Sequence, residues 1–538
     1  MTTSSTTRQT VGALLAGRLA AAGVTTVFGF PGGGSNLDLI EAFEDAGVRF
    51  VLTHTETGAA FMACGQAEAT GGLGAVMVGN GPGLTSVVNG AAHADLDRVP
   101  LIVVSDRYSE HEAATTGHQV LDQRALLAPL VRYGATLSAE RAGEQVDAAI
   151  TAAQGPLPGP VHLDVPRTLA GEQAAPGGAA PDARVADGDA GAALELLRTS
   201  ARPVVILGLE ANAPDVDAAD VRRLVEASGA AVLTTYKAKG CFDERHERWA
   251  GILTGGAIEQ PVLDAADAAL LIGLDPVELL GRPWPLDVPT AQIGRADTRY
   301  FGDAVALVPG GVGVAVAGLA DALERRPGWP VGAVTALRDR ALAAMRVRPE
   351  LPLPGWRIAE TIEEQLGGGD VTYAVDAGSH MFPATMFLRP RGPRRFLISN
   401  GLATMGYALP AAIGAALSHP ERLVVAVSGD GGMAYHLAEL ETAARIGARV
   451  VVVVFNDASL SLIRIKQEAK GYVRSPLDFT RTGFAAAAES FGAVGARVDD
   501  AGGLVAALRA AAQRSQSTLI DVQTTGAEAA ETLRVVRG

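Results

Sequence analysis

Cysteine is nearly missing from this chain: Cys64 and Cys241 are the only two in 538 residues. Two thiols cannot build a disulfide framework, so nothing points to secretion. Lysine is almost as scarce. Lys237, Lys239, Lys466 and Lys470 stand alone among 45 basic residues, and the rest are arginine. Acidic residues number 59, which leaves a net charge of −14. That balance argues against a nucleic-acid binder or a polybasic membrane binder, although a single local pocket can still take a small anion. Residues 1–10 (MTTSSTTRQT) carry no leader-peptide core. No apolar stretch reaches the roughly 18–20 uncharged residues of a membrane span. The expectation is a soluble, cytoplasmic protein with no nucleic-acid or membrane partner. What is present is core-forming material: 48% of residues are hydrophobic and 19% charged, over a length that suits three or four domains.

Two stretches read as linkers, 171–191 (GEQAAPGGAAPDARVADGDAG) and about 325–356, the latter interrupted by a helix at 333–346. They divide the chain into about 1–180, 185–340 and 350–538. Within each part helical runs alternate with short apolar runs: TTVFGF, RFVLTHTE, GAVMVG and VPLIVVS in the first, RPVVILGL, AAVLTT and AALLIGL in the second, VTYAVDAG, LVVAVSGDGG and RVVVVVFND in the third. Apolar runs without alternation indicate strands buried on both faces, hence parallel sheets covered by helices. The expected fold is α/β, with three doubly wound parallel-sheet domains in series. The first and third parts share only a coarse pattern by eye.

The strongest chemical signal lies in the third part. The run LVVAVS ends in Gly429-Asp430-Gly431-Gly432, a helical stretch follows, and the next strand ends in Asn456-Asp457. Ligands bind at the carboxyl ends of parallel strands, so both acids face the place where a ligand sits. Two carboxylates converging there repel unless a cation lies between them. Hard oxygen donors favour Mg²⁺ or Ca²⁺, and glycines let backbone N–H groups approach phosphate oxygens.

This segment resembles the thiamine-diphosphate motif, which opens Gly-Asp-Gly and closes about 27 residues later in a pair such as Asn-Asn; the chain as a whole is similar to the acetolactate synthase branch of that superfamily. The resemblance implies pyrimidine-binding (1–180), central (185–340) and diphosphate-binding (350–538) domains. It implies Mg²⁺ held by Asp430, Asp457 and the carbonyl of Ser459, with Asp457 standing where Asn is commoner. FGFPGGGSNLDLIEAFEDAGVRFVLTHTETG resembles the family's opening segment. Pro31 then lies beside the cofactor, and Glu56 falls on the glutamate that hydrogen-bonds the aminopyrimidine and so favours the tautomer that removes the thiazolium proton. Gly81 belongs to the Gly-Pro-Gly stretch. In GHQVLDQ, Gln119 falls on a cofactor-facing glutamine, and His118 replaces an aromatic residue near the substrate. Gly378, Ser379 and His380 match the diphosphate loop. Ala403 and Met405 match the segment gripping the aminopyrimidine, with Met405 as the wedge that bends the cofactor.

The central part departs from the branch. LLIGLDPVELLGRPW lacks Gly-Ala-Arg-Phe-Asp-Asp-Arg, with Leu279 at the arginine position, and Lys466 stands where the branch has its substrate-selecting tryptophan. These departures put FAD binding and true acetohydroxyacid synthesis in question. Both lysine pairs, Lys237/Lys239 and Lys466/Lys470, fall in segments expected near the cleft, where a lysine suits an extra anionic group on a 2-oxo acid. The resemblance implies a homodimer or homotetramer that decarboxylates a 2-oxo acid and ligates the product to a second carbonyl compound. A simple decarboxylase, a 2-hydroxyacyl thioester lyase, a flavin-dependent oxidase and a non-catalytic relative stay open beside it.

Overall fold

The computed structural model describes residues 9–175, 190–279, 286–295, 306–309, 311–473 and 476–538. Most of the first expected linker (176–189) and part of the central stretch (280–285) lie outside the described residues. The chain divides into two compact units, Met1–Arg184 and Val185–Gly538.

The first unit holds one six-stranded parallel sheet. Its strands are β1 (Thr26–Phe30), β2 (Arg49–Leu52), β3 (Gly74–Val78), β4 (Leu101–Arg107), β5 (Tyr133–Thr136) and β6 (Pro160–Pro166), in the order β2-β1-β3-β4-β6-β5. Helices Val11–Ala21, Ser35–Asp45 and Ala142–Ala153 contribute Leu15, Leu39, Phe43 and Val146 to the core on one face.

The second unit holds two such sheets. The central one consists of β7 (Pro203–Leu207), β8 (Ala231–Thr234), β9 (Trp249–Ile252), β10 (Ala268–Ile272), β11 (Thr290–Gly294) and β12 (Ala306–Pro309). Its order, β9-β8-β7-β10-β11-β12, is that of a dinucleotide-binding fold. The third consists of β13 (Val371–Val375), β14 (Phe396–Ile398), β15 (Leu423–Gly429), β16 (Val450–Asn456), β17 (Val494–Val498) and β18 (Thr518–Gln523). Its order is β14-β13-β15-β16-β18-β17, which repeats the first sheet strand for strand. The likeness that looked coarse in sequence is thus a shared topology. Strands β3, β7, β10, β13 and β16 are buried at every position, as unalternating Val, Ile, Leu and Ala runs demand.

The central and third sheets share one continuous hydrophobic core, which runs from Ala193 through Trp249, Phe396 and Phe455 to Val536. A buried polar weld reinforces it. Lys239 and Glu244, both fully buried, pair at 2.6 Å, with the Lys239 ammonium 5.2 Å from the Phe396 ring. Lys237 is buried as well, and its Nζ donates to the carbonyl of Ile398 at the end of β14 (3.2 Å). This pair was expected beside the substrate; the structure places it in the packing between two sheets instead. Lys239→Met leaves the Glu244 carboxylate buried and unpaired. It is expected to cost about 3–5 kcal/mol in denaturant unfolding, with most of that recovered in the Lys239→Met/Glu244→Leu double variant.

Among the described residues no helix is long and apolar enough to cross a membrane.

Candidate active site

In a sheet ordered β14-β13-β15-β16 the direction of winding reverses between β13 and β15, and that switch point is where such folds take ligands. A cavity of about 270 Å³ opens there. Its wall comes from the loops that follow β13 (Gly378, Ser379, His380) and β16 (Asp457, Ser459, Leu460) and from the first turn of the helix Asp430–Tyr435 after β15 (Asp430, Gly431, Gly432), together with Ala403 and Met405. Eleven of the residues expected from sequence, Gly429 among them, are therefore assembled by three strand ends and one further loop.

The charges of the site are arranged for a cation. Asp430 Oδ1 accepts the N–H of Gly431 (2.7 Å), whereas Oδ2 is buried with no hydrogen-bond partner. Burial, with Asp457 adding to it, pushes the Asp430 carboxyl up to about 6. Burial also raises Asp457, against hydrogen bonds from the Ser461 hydroxyl and the Ser459 N–H (3.1 Å). Two acids whose proximity raises the cost of ionising both are stabilised in their charged forms by positive charge between them. Among the described residues no three His, Cys, Asp or Glu side chains form a metal cage. A divalent ion here needs backbone and ligand oxygens to complete its shell, as Mg²⁺ bound to a phosphate does.

The phosphate side of the cavity fits as well. His380 packs against the Phe455 ring (5.7 Å between centroids), its Nε2 lacks a partner, and burial lowers its ring to about 4, so it is a neutral donor or acceptor at pH 7. Close approach of backbone explains Gly432: a Cβ there would lie 2.3 Å from Asp376 Oδ2. Asp376 is a residue that motif reasoning passed over. It accepts from Gly406 N–H (2.9 Å) and Ser428 Oγ (2.8 Å), tying the Met405 loop to the end of β15. It ends a buried strand, as Asp430 nearly does, and that position was the available signal. Ala403 and Ala458 have φ of 51° and 57°, and such left-handed non-glycine residues cluster at ligand sites. Glu528, also missed, lines the cavity from the chain's last segment; Oε1 caps Gly355 N–H (2.7 Å) and Oε2 has no partner. No local motif marks it. Lys466 is exposed on the helix Ser461–Ala469 and does not line the cavity, which that helix reaches through Ser461, Leu462 and Ile463.

The other expected residues belong to the first unit. Glu56 opens the helix Glu56–Thr70 behind the Thr55 cap, where a carboxylate suits the helix dipole. It is half-buried, and its Oε1 faces the start of the helix Pro82–Leu96 at Gly83. Gly81 packs directly on Gln119. His118 and Gln119 are exposed on the loop before the helix Gln123–Leu127. Pro31 follows β1 and begins the Gly32-Gly33-Gly34 turn, whose end is held by Ser35 Oγ donating to Asp106 Oδ1 (2.8 Å). Glu56, Gly81, Gln119 and Pro31 thus gather at the carboxyl edge of the first sheet, on a different unit from Asp430, Asp457 and Ser459.

Three domain families match in series: thiamine pyrophosphate enzyme N-terminal TPP binding domain over residues 9–126, central domain over 190–300, and C-terminal TPP binding domain over 376–522. A catabolic acetolactate synthase of Raoultella terrigena is 30% identical over 528 residues, covering 93% of this chain and 92% of that one. The chain belongs to the thiamine pyrophosphate enzyme family. Family members similar to it also include a Pseudomonas aeruginosa protein named "Probable 2-ketoarginine decarboxylase", 31% identical over 96% of this chain and 94% of its own. The fold of this thiamine pyrophosphate enzyme matches the thiamine diphosphate-dependent 4-hydroxybenzoylformate decarboxylase of Rhodococcus jostii RHA1 with a TM-score of 0.82, at 24% identity, over 96% of this chain and 99% of that one. The family is one of 2-oxo acid decarboxylases and carboligases, and this chain is an enzyme of that kind.

At the central sheet's own switch point the carboxyl group of Glu278, 4% exposed, accepts the N–H groups of Leu209 (2.8 Å) and Asp275 (3.1 Å). Burial pushes it up to about 8. The turn after β7, Gly208-Leu209-Glu210-Ala211-Asn212, has one glycine where a dinucleotide fingerprint has three. Leu279 packs against an apolar cluster of the central sheet.

Proposed function

We propose that this chain is a thiamine-diphosphate- and Mg²⁺-dependent enzyme that decarboxylates a 2-oxo acid and ligates the resulting acyl unit to a second carbonyl compound. The observation that carries the reading is the partnerless, buried Asp430 Oδ2 beside Asp457, at the ends of β15 and β16. Asp430, Asp457 and the Ser459 carbonyl hold the cation. Gly378, Ser379, His380 and the Gly429–Gly432 turn receive the diphosphate, with neutral His380 hydrogen-bonding it. Met405 and Ala403 shape the apolar wall that bends the ring system. Bound, the coenzyme supplies an electron sink that lets a 2-oxo acid lose CO₂. Glu56 holds a proton at the pyrimidine ring and releases it in turn. Gln119 faces the cofactor, and His118 lies near the substrate. As the family resemblance implies, the reading includes a homo-oligomer, a dimer or tetramer, as the working form.

Flavin is left out. In a dinucleotide-binding fold the pyrophosphate sits at the turn after the first strand, and in that turn the N–H of Leu209 is already held by the chain's own Glu278. The purified enzyme is expected to be colourless.

A second reading, plain decarboxylation, is favoured by Leu279: an apolar residue packed in the central domain cannot hold a second keto acid's carboxylate as an arginine does. Mass spectrometry of products from a panel of 2-oxo acids, with cofactor and Mg²⁺, tests both. A new hydroxyketone that appears only with an aldehyde or keto-acid acceptor is expected. Release of aldehyde alone in both arms replaces ligation with decarboxylation.

A further inference from the structure

We propose that Gln123 is a positioning residue, whose buried side-chain amide sets the turn carrying Gly81 and, through it, the placement of Gln119. The proposal rests on the reading of Gln119 as a cofactor-facing group.

Gln119 has φ of 58°. A non-glycine residue stays in that region only where its surroundings over-determine it. Gly81, at φ 62°, is packed so tightly on Gln119 that an added Cβ would lie 2.9 Å from both its Cβ and its carbonyl oxygen. The two turns therefore move together, and Gln123 is what ties them to the sheet. It opens the short helix Gln123–Leu127, capped by Asp122 (Ala125 N–H to Oδ1, 2.9 Å), and is 5% exposed. Its Oε1 accepts the N–H of Gly81 (3.1 Å). Its Nε2 donates to Asp164 Oδ1 (2.6 Å) and to the carbonyl of Asp106 (3.0 Å). Asp164 is fixed in turn by Ser105 Oγ (2.7 Å), which also meets His162 Nε2 (2.7 Å). One amide thus joins the end of β4, the end of β6, the turn after β3 and the loop four residues upstream. An amide hydrogen-bonded at both ends holds its partners in one arrangement, and losing it leaves the Gly81 N–H without its acceptor and takes one donor from Asp164.

A residue that only satisfies buried groups and one that positions Gln119 differ in coupling. The test uses the full-length protein with Gln123→Met, Gln119→Ala, the double variant and Gln123→Glu. Amide exchange at Gly81 is measured in the cofactor-free protein, and kcat and KM are measured with the best 2-oxo acid of the panel. Gln123→Met is expected to speed Gly81 exchange at least about tenfold and to lower kcat about 10- to 100-fold, the scale of a small misplacement. The double variant is expected to be no slower than Gln119→Ala, because the two act through one position. Gln123→Glu can share a proton with Asp164 and still accept from Gly81, so it is expected to recover most of the turnover. Unchanged Gly81 exchange overturns the proposal, as do losses that multiply in the double variant. If Gln119→Ala turns over like the parent, the reading of Gln119 fails, and the exchange experiment still decides whether Gln123 holds the Gly81 turn.

Discussion

Glu56→Gln is expected to lower kcat by about 10²–10⁴-fold, the usual range for removing a group that transfers a proton in the rate-determining step. The substitution keeps size and shape, and the Thr55 hydroxyl still caps the helix through the Gly58 N–H (3.0 Å). The fold and its melting temperature should therefore be unmoved, which separates lost chemistry from lost structure. Glutamine can still donate to or accept from a ring nitrogen, but it cannot give up and regain a proton at neutral pH. Coenzyme affinity measured by calorimetry should change only a few-fold while turnover collapses. Full turnover in Glu56→Gln would remove Glu56 from the proton relay.

Asp430→Asn is expected to act in two opposite directions. Without ligands, the carboxyl of Asp430 titrates at about 6 against an ordinary 3.8, so the folded state holds a proton there that the unfolded chain releases. The linkage sign follows: this group's burden on the fold is absent below about pH 4, grows as pH rises towards 6, and is fully present at pH 7. Asparagine removes that burden, so the ligand-free variant should be more stable at neutral pH, by about 1–2 kcal/mol in denaturant unfolding. The same change removes one of two anionic donors for a divalent ion. Mg²⁺-dependent binding of the coenzyme, and with it activity, should fall by several orders of magnitude. Stabilisation of the ligand-free protein together with loss of Mg²⁺ dependence is the diagnostic pair. A variant that still shows saturable, Mg²⁺-dependent heat on coenzyme addition would remove Asp430 from the cation site.

The sequence reveals what is strongly patterned. Runs such as VVVVVF and AALLI appear as β16 and β10 because they are buried at every position. Strands β5 and β17 escape notice for the complementary reason. They sit at the sheet edges beside β6 and β18, are short, and are half-exposed along most of their length, so YGAT and VGARV carry no apolar signal. The same division holds in the site. Asp430 and Asp457 are legible because the spacing of strand, helix and strand places them together. Asp376 and Glu528 make their contacts across 30 and 173 residues of chain, and only the folded packing brings those partners into range. The lysines mislead for a physical reason as well. Scarcity marks Lys237 and Lys239 as special, and they are, but their environment is an apolar seam with one carboxylate in it, and composition does not distinguish a seam from a cleft.

That seam also sets where this chain can be cut and recombined. Anyone grafting a new central segment from a relative to alter substrate choice would separate Lys239 from the Phe396 ring it lies beside, and Lys237 from the Ile398 carbonyl. Chimeras are better built by exchanging everything after residue 185 as one cassette, with the crossover in the Gly-, Ala- and Pro-rich stretch before it.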